Sequence, residues 1–127
     1  MGRYLIDADC AVYAMGGEFP ELRKRLGELE PGEVGLSAVS LAEIALGTHQ
    51  GKPPPPDVLE LFLAAVPVLA FDEPAARAYA RLPFKRGRFD RLLAAHALSI
   101  GAIVITNNEK DFIEVPDLTV ENWTLPL

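Results

Sequence analysis

Residues 89–112, FDRLLAAHALSIGAIVITNNEKDF, decide the fold. Asp90 to Ile100 is apolar nearly all round, which predicts a buried helix. Gly101 stops it, and 102–105 (AIVI) is a short apolar run that reads as a strand. Thr106, Asn107 and Asn108 then place polar groups where that strand ends. A buried helix feeding straight into a buried strand is half of a parallel crossover unit.

The same alternation runs outward from there. Residues 3–7 (RYLID) read as a strand, followed by a helix through Met15. Glu18 to Leu29 reads as an amphipathic helix with Phe19, Leu22, Leu26 and Leu29 on one face, and 33–37 as a second strand. A helix is expected over 40–46 with Gly47 as its stop, then a stiff polyproline II spacer over 53–56, then a helix from Asp57. Residues 67–71 read as a third strand, Asp72 and Pro74 as the start of another helix, and Thr119–Val120 as a short edge strand. Continuous apolar strands separated by helices indicate a parallel sheet covered on both faces. The expectation is a three-layer α/β/α sandwich with a mainly parallel five-stranded sheet, one domain over residues 1–127 with no internal repeat.

Composition limits the function. Half of the 127 residues are apolar and 24% are charged, too hydrophobic for a disordered chain. A single cysteine, Cys10, excludes a disulfide framework and any zinc site built on several thiolates. Asp7 and Asp9 interrupt the first apolar run, so no secretory signal is read, and no run reaches the roughly 18 residues of a membrane span. A cytoplasmic location is expected. The net charge of −6 argues against nonspecific nucleic-acid binding, yet Arg77, Arg81, Lys85, Arg86, Arg88 and Arg91 place six of the twelve cations just before and beside Asp90. Read by itself, that stretch is a solvated basic face; beside an acidic pocket, Lys85, Arg86 and Arg88 become candidate contacts to flanking phosphates.

In open parallel sheets, ligands sit beyond the carboxyl ends of the strands, where the strand order reverses. Asp7 closes the first strand, and Glu43, Asp90 and Asp111 fall near the same rim. Each has a bland explanation. Ser40 and Glu43 form S-x-x-E, a capping box; Asp90 suits a helix N-cap; Asp111 suits a surface. Asp72, in FDEP, reads as a helix cap alone. Asp7 is harder to dismiss, because a carboxylate at the end of a buried strand needs a partner. Several carboxylates together repel unless a cation compensates, and an all-oxygen set selects Mg²⁺, or Mn²⁺, over zinc. His96 lies about 240° round the helix from Asp90 and reads as a packed, hydrogen-bonded histidine. Cys10 reads as a small buried side chain.

The segments LIDADCAVYAM (5–15), LSAVSLAEIALG (36–47), FDRLLAAHALSIGAIVITNNEKDF (89–112) and VENW (120–123), in this order, resemble a PIN-domain ribonuclease of the VapC toxin type, from type II toxin–antitoxin systems. The resemblance covers nearly the whole chain. It implies a PIN-like fold and a Mg²⁺-dependent endoribonuclease with Asp7, Glu43, Asp90 and Asp111 as its acidic cluster. Asp7 and Asp90 would be the metal ligands, Glu43 would hold or activate a water, and Asp111, in preference to Glu109, would complete the cluster. Thr106 and Asn108 would support them from behind. Ala8 and Asp9 stand where the family usually carries Thr or Ser and then Asn, and Asp9 is placed to substitute. The resemblance further implies an RNA substrate, a VapB-type antitoxin whose peptide crosses the acidic cleft, and a homodimer formed through the early helices.

Two other readings remain. One is a non-catalytic PIN-like binding module. The other is a haloacid-dehalogenase-type phosphohydrolase, suggested by the D-x-D of residues 7–9, but the downstream Lys and the second acidic motif of that chemistry do not stand at their expected places.

Overall fold

In the computed structural model, which describes residues 3–83 and 88–125 apart from the Arg88 side chain, the sheet is built outward from β1 (Tyr4–Ile6). Leu5 and Ile6 are fully buried on opposite faces, so neither face of β1 can meet water. One side of β1 pairs in parallel with β2 (Val34–Ser37), setting Leu5 opposite Gly35. The other side pairs in parallel with β4 (Ile103–Ile105), setting Leu5 opposite Val104 and Ile6 opposite Ile105. β3 (Val68–Leu69) flanks β2, and β5 (Val120–Glu121) flanks β4, giving the order β3-β2-β1-β4-β5, parallel throughout. The chain steps outward to β3, returns past β1 to β4, and so reverses direction between β1 and β4.

Side-chain alternation divides the core in two. Ile6, Leu36 and Ile105 pack on one face against α1 (Ala8–Gly16), α2 (Pro20–Gly27), α3 (Ala38–His49) and α4 (Pro56–Ala65). Leu5 and Val104 pack on the other against α6 (Arg88–Ile100), which itself lies against α5 (Glu73–Ala80). Fully burying each of these branched side chains contributes about 1.5–3 kcal/mol. Ala94 and Ala97, both fully buried, let α6 come close to the sheet. The expected three-layer α/β/α architecture is therefore observed. Among the described residues, no helix is long and apolar enough to cross a membrane.

Several local expectations change. The helix expected over 40–46 starts earlier and ends later. Ser37 is its N-cap, its hydroxyl accepting the Val39 N–H at 3.1 Å, and the helix continues through Gly47 to His49. Ser40 is thus inside the helix, its buried hydroxyl without a hydrogen-bond partner, and the Ser40–Glu43 capping box does not form. Asp90 is the third residue of α6 and not its cap. Residues 53–56 do not run as an extended polyproline spacer: the chain bends at Pro53 and Pro54, where the Thr48 hydroxyl donates to the Pro54 carbonyl at 2.8 Å, and Pro56 is already helical. The third strand keeps only Val68 and Leu69, because it lies at the sheet edge with β2 as its sole neighbour. Asp72 caps α5 by accepting the Ala75 N–H at 3.2 Å, as its sequence context suggested.

The C-terminal strand is clasped to α2. Trp123, 2% exposed, donates from Nε1 to Glu121 Oε1 at 2.8 Å, and the Arg25 guanidinium lies 4.4 Å over the indole ring and 3.5 Å from the same oxygen.

Candidate active site

The strand-order reversal places the ends of β1 and β4 side by side. The Asp7 N–H donates to the Ile105 carbonyl at 3.0 Å, so the residue after β1 sits beside Thr106, the residue after β4. Asp7 has an extended backbone and caps α1, its Oδ1 accepting the Cys10 N–H at 2.8 Å. The Cys10 N–H and the neighbouring Thr106 side chain favour the charged form of its carboxylate, but burial outweighs them and raises the carboxyl above the usual aspartate range. Thr106 is fully buried and accepts the Asn108 N–H at 3.0 Å, which ties the turn after β4 to the side chain beside Asp7.

Three other elements bring carboxylates to this rim. Glu43 lies in the second turn of α3, half-buried. Its carboxyl is pushed up to about 7, first by burial and then by the charges of Asp90, Asp9 and Asp7. Asp90 in α6 is pushed up to about 6, first by burial and then by Asp111, Asp7 and Asp9. Asp111 lies on an exposed 3₁₀ turn over Glu109–Phe112. Two unit charges 6 Å apart at an effective dielectric of 20 repel by about 3 kcal/mol. Four segments distant in sequence thus converge their negative charge on one edge, and Asp7 and Asp90 share it. Glu109 Oε1 accepts from Asn122 Nδ2 at 3.2 Å, and the Asp111 charge acts on Asp90.

Asp9 is the acid whose weight the sequence understated. It lies exposed in the first turn of α1, and its charge acts on Asp7, Glu43 and Asp90. The available signal was its position two residues past a strand-ending aspartate, where a helix turn begins. Lys85 and Arg86 lie outside the described residues, as does the Arg88 side chain. Arg77 pairs with Glu73 at 2.7 Å, and the Arg91 guanidinium lies 4.9 Å over the Tyr79 ring. Cys10 is fully buried, and burial beside Asp7 raises its thiol, which removes it as a nucleophile.

Residues 4–118 match the PIN domain family. The chain belongs to it. It is 31% identical to the tRNA(fMet)-specific endonuclease VapC of Shigella flexneri, across 98% of this chain and 100% of that protein. It is 28% identical to ribonuclease VapC2 of Rickettsia felis, across 94% of this chain and 97% of that one. Among solved structures it superposes with TM-score 0.83 on VapBC2 from Rickettsia felis bound to a DNA fragment from its promoter, at 26% identity over 94% of this chain and 98% of that one. VapBC from Salmonella typhimurium bound to DNA gives the same TM-score and identity, over 97% and 99% of the two chains. The PIN-domain chain described here is therefore of the VapC type.

Within this PIN domain the donor set suits a hard divalent cation: all oxygen, mostly carboxylate, and raised in proton affinity first by burial and then by mutual repulsion. Among the described residues, no three His, Cys, Asp or Glu side chains close into a group that could hold a metal ion.

Proposed function

We propose that this PIN domain, residues 1–127, is the toxin of a VapBC-type pair and a Mg²⁺-dependent endoribonuclease, with Asp7, Glu43, Asp90 and Asp111 as its working acids. The observation that carries the reading is the strand-order reversal between β1 and β4, where Asp7 follows β1 with its N–H on the Ile105 carbonyl, with Glu43 and Asp90 near enough for their charges to act on one another. VapC relatives described as ribonucleases along the full chain length support it.

Asp7 and Asp90 are the residues that would hold the ion. A bound Mg²⁺, or Mn²⁺, supplies Lewis-acid activation of water and neutralises charge building on a phosphodiester. Glu43, with its carboxyl near 7, is matched to neutral pH and can take the proton that the attacking water loses. The Thr106 side chain favours the charged Asp7 carboxylate, and the Asn108 N–H holds the Thr106 hydroxyl. Asp9 and Asp111 extend the negative rim, which demands cationic compensation before an RNA phosphate can approach. Lys85, Arg86 and Arg88, next to Asp90 in sequence, are assigned to the flanking phosphates.

Solved complexes of related chains with VapB partners support a cognate antitoxin here. A basic side chain of its peptide, lying across the acidic cleft, would compensate the cluster and block substrate. A homodimer through the early helices is part of the same proposal, and light scattering tests it.

Incubation of the purified chain with defined RNAs, with Mg²⁺ or with chelator, tests the activity. Cleavage should require the ion and vanish in Asp90→Asn. A well-folded wild-type chain that cuts none of them in Mg²⁺ would support the non-catalytic binding module instead.

A further inference from the structure

His96 and Ser37 form a buried side-chain pair that the proposed chemistry does not use. His96 is 1% exposed and Ser37 fully buried, and His96 Nδ1 lies 2.8 Å from Ser37 Oγ across 59 residues of sequence. The same Ser37 oxygen accepts the Val39 N–H, so it is also the cap that starts α3. The Phe71 ring meets the imidazole edge-on at 5.8 Å between centroids and fixes its plane from another side. Burial holds the imidazole below its usual range and so in its neutral form, against the opposing charge of Asp72.

This bond joins the two helices that carry mutually repelling acids. Asp90 lies six residues before His96 on α6, and Glu43 lies six residues after Ser37 on α3, each about 9 Å along its helix axis from the bond. Asp90 and Glu43 carry like charge at the same rim, so without a cation between them they favour separation of the two helices. A buried hydrogen bond is directional enough to set the relative position of α6 and the capped start of α3.

We propose that His96 is a positioning residue: through Ser37, the cap of α3, it holds α6 against α3 so that Asp90 stays in place to hold a divalent ion beside Glu43. The proposal rests on the reading of the acidic rim as a metal site. It differs from the simple reading of a satisfied core histidine in what its loss does to the site.

The test is Mn²⁺ binding to the full chain, followed by the electron paramagnetic resonance of free Mn²⁺, with a thermal melt in chelator alongside. His96→Leu should weaken Mn²⁺ binding about tenfold or more in protein that is still folded at the assay temperature. His96→Asn, whose amide can keep the bond to Ser37, should stay within about threefold. Should His96→Leu fail to fold, Ser37→Ala breaks the same bond from α3 and should show the same loss. Wild-type Mn²⁺ binding that disappears in Asp90→Asn but is unchanged in both His96→Leu and Ser37→Ala would overturn the positioning role and leave the metal site standing. A wild-type chain that binds no Mn²⁺ would overturn both.

Discussion

Asp7 and Thr106 follow adjacent parallel strands, the Asp7 N–H donating to the Ile105 carbonyl at 3.0 Å; the Thr106 side chain favours the charged Asp7 carboxylate, and its hydroxyl accepts the Asn108 N–H at 3.0 Å. The hydroxyl favours the charged carboxylate against burial. Thr106→Val should therefore raise the Asp7 carboxyl further, strand the Asn108 N–H, and weaken divalent-ion binding about 10- to 100-fold. Thr106→Ser should stay close to wild type. Mn²⁺ titration of the two variants checks this.

The pH dependence of stability without metal has a definite sign. Glu43 rises from an ordinary 4.5 to about 7 on folding, and Asp90 from 3.8 to about 6. Between those values the folded state binds more protons than the unfolded one, so each group contributes stability at low pH that is lost as pH rises. His96, lowered on folding, acts in the opposite direction, so the variant comparison isolates the acid. Glu43→Gln in chelator should raise the thermal midpoint more at about pH 8 than at about pH 5. An equal change at both would show that the Glu43 carboxyl is not raised.

Most of the architecture could be read in the chain because buried parallel strands are continuous apolar runs, and 102–105 and 3–7 are such runs. Asp7 was legible for the same reason, as a charge at the end of a strand with no water on either face. What could not be read depends on contacts distant in sequence. Ser37, and not Ser40, caps α3 because β2 ends there, and Gly47 continues the helix, which closes only at Gln50. The weight of Asp9 comes from its action on Glu43 and Asp90, acids on two other segments, and the partnership of His96 with Ser37 spans 59 residues.

Gly35 shows a packing constraint separate from the site. A Cβ there would lie 2.7 Å from Leu69 Cδ1 and 3.0 Å from its Cγ, so β2 needs a glycine for Leu69 to lie over it. Gly35→Ala should cost about 1–3 kcal/mol, the lower end if Leu69 swings aside, and should leave Mn²⁺ affinity unchanged in the folded protein. Chemical denaturation with a parallel Mn²⁺ titration checks both halves.

The central claim is that carboxylates from distant segments form one site for a divalent cation. Thermal melting of the wild type and of Asp7→Asn at neutral pH, in chelator and in excess Mg²⁺, tests it most directly. At about a hundredfold excess over the dissociation constant, the ion should add about 2.7 kcal/mol to the wild type, a rise of about 5–10 °C, and should add almost nothing to Asp7→Asn. A wild type indifferent to Mg²⁺, or an Asp7→Asn chain that gains the same rise, would contradict the account.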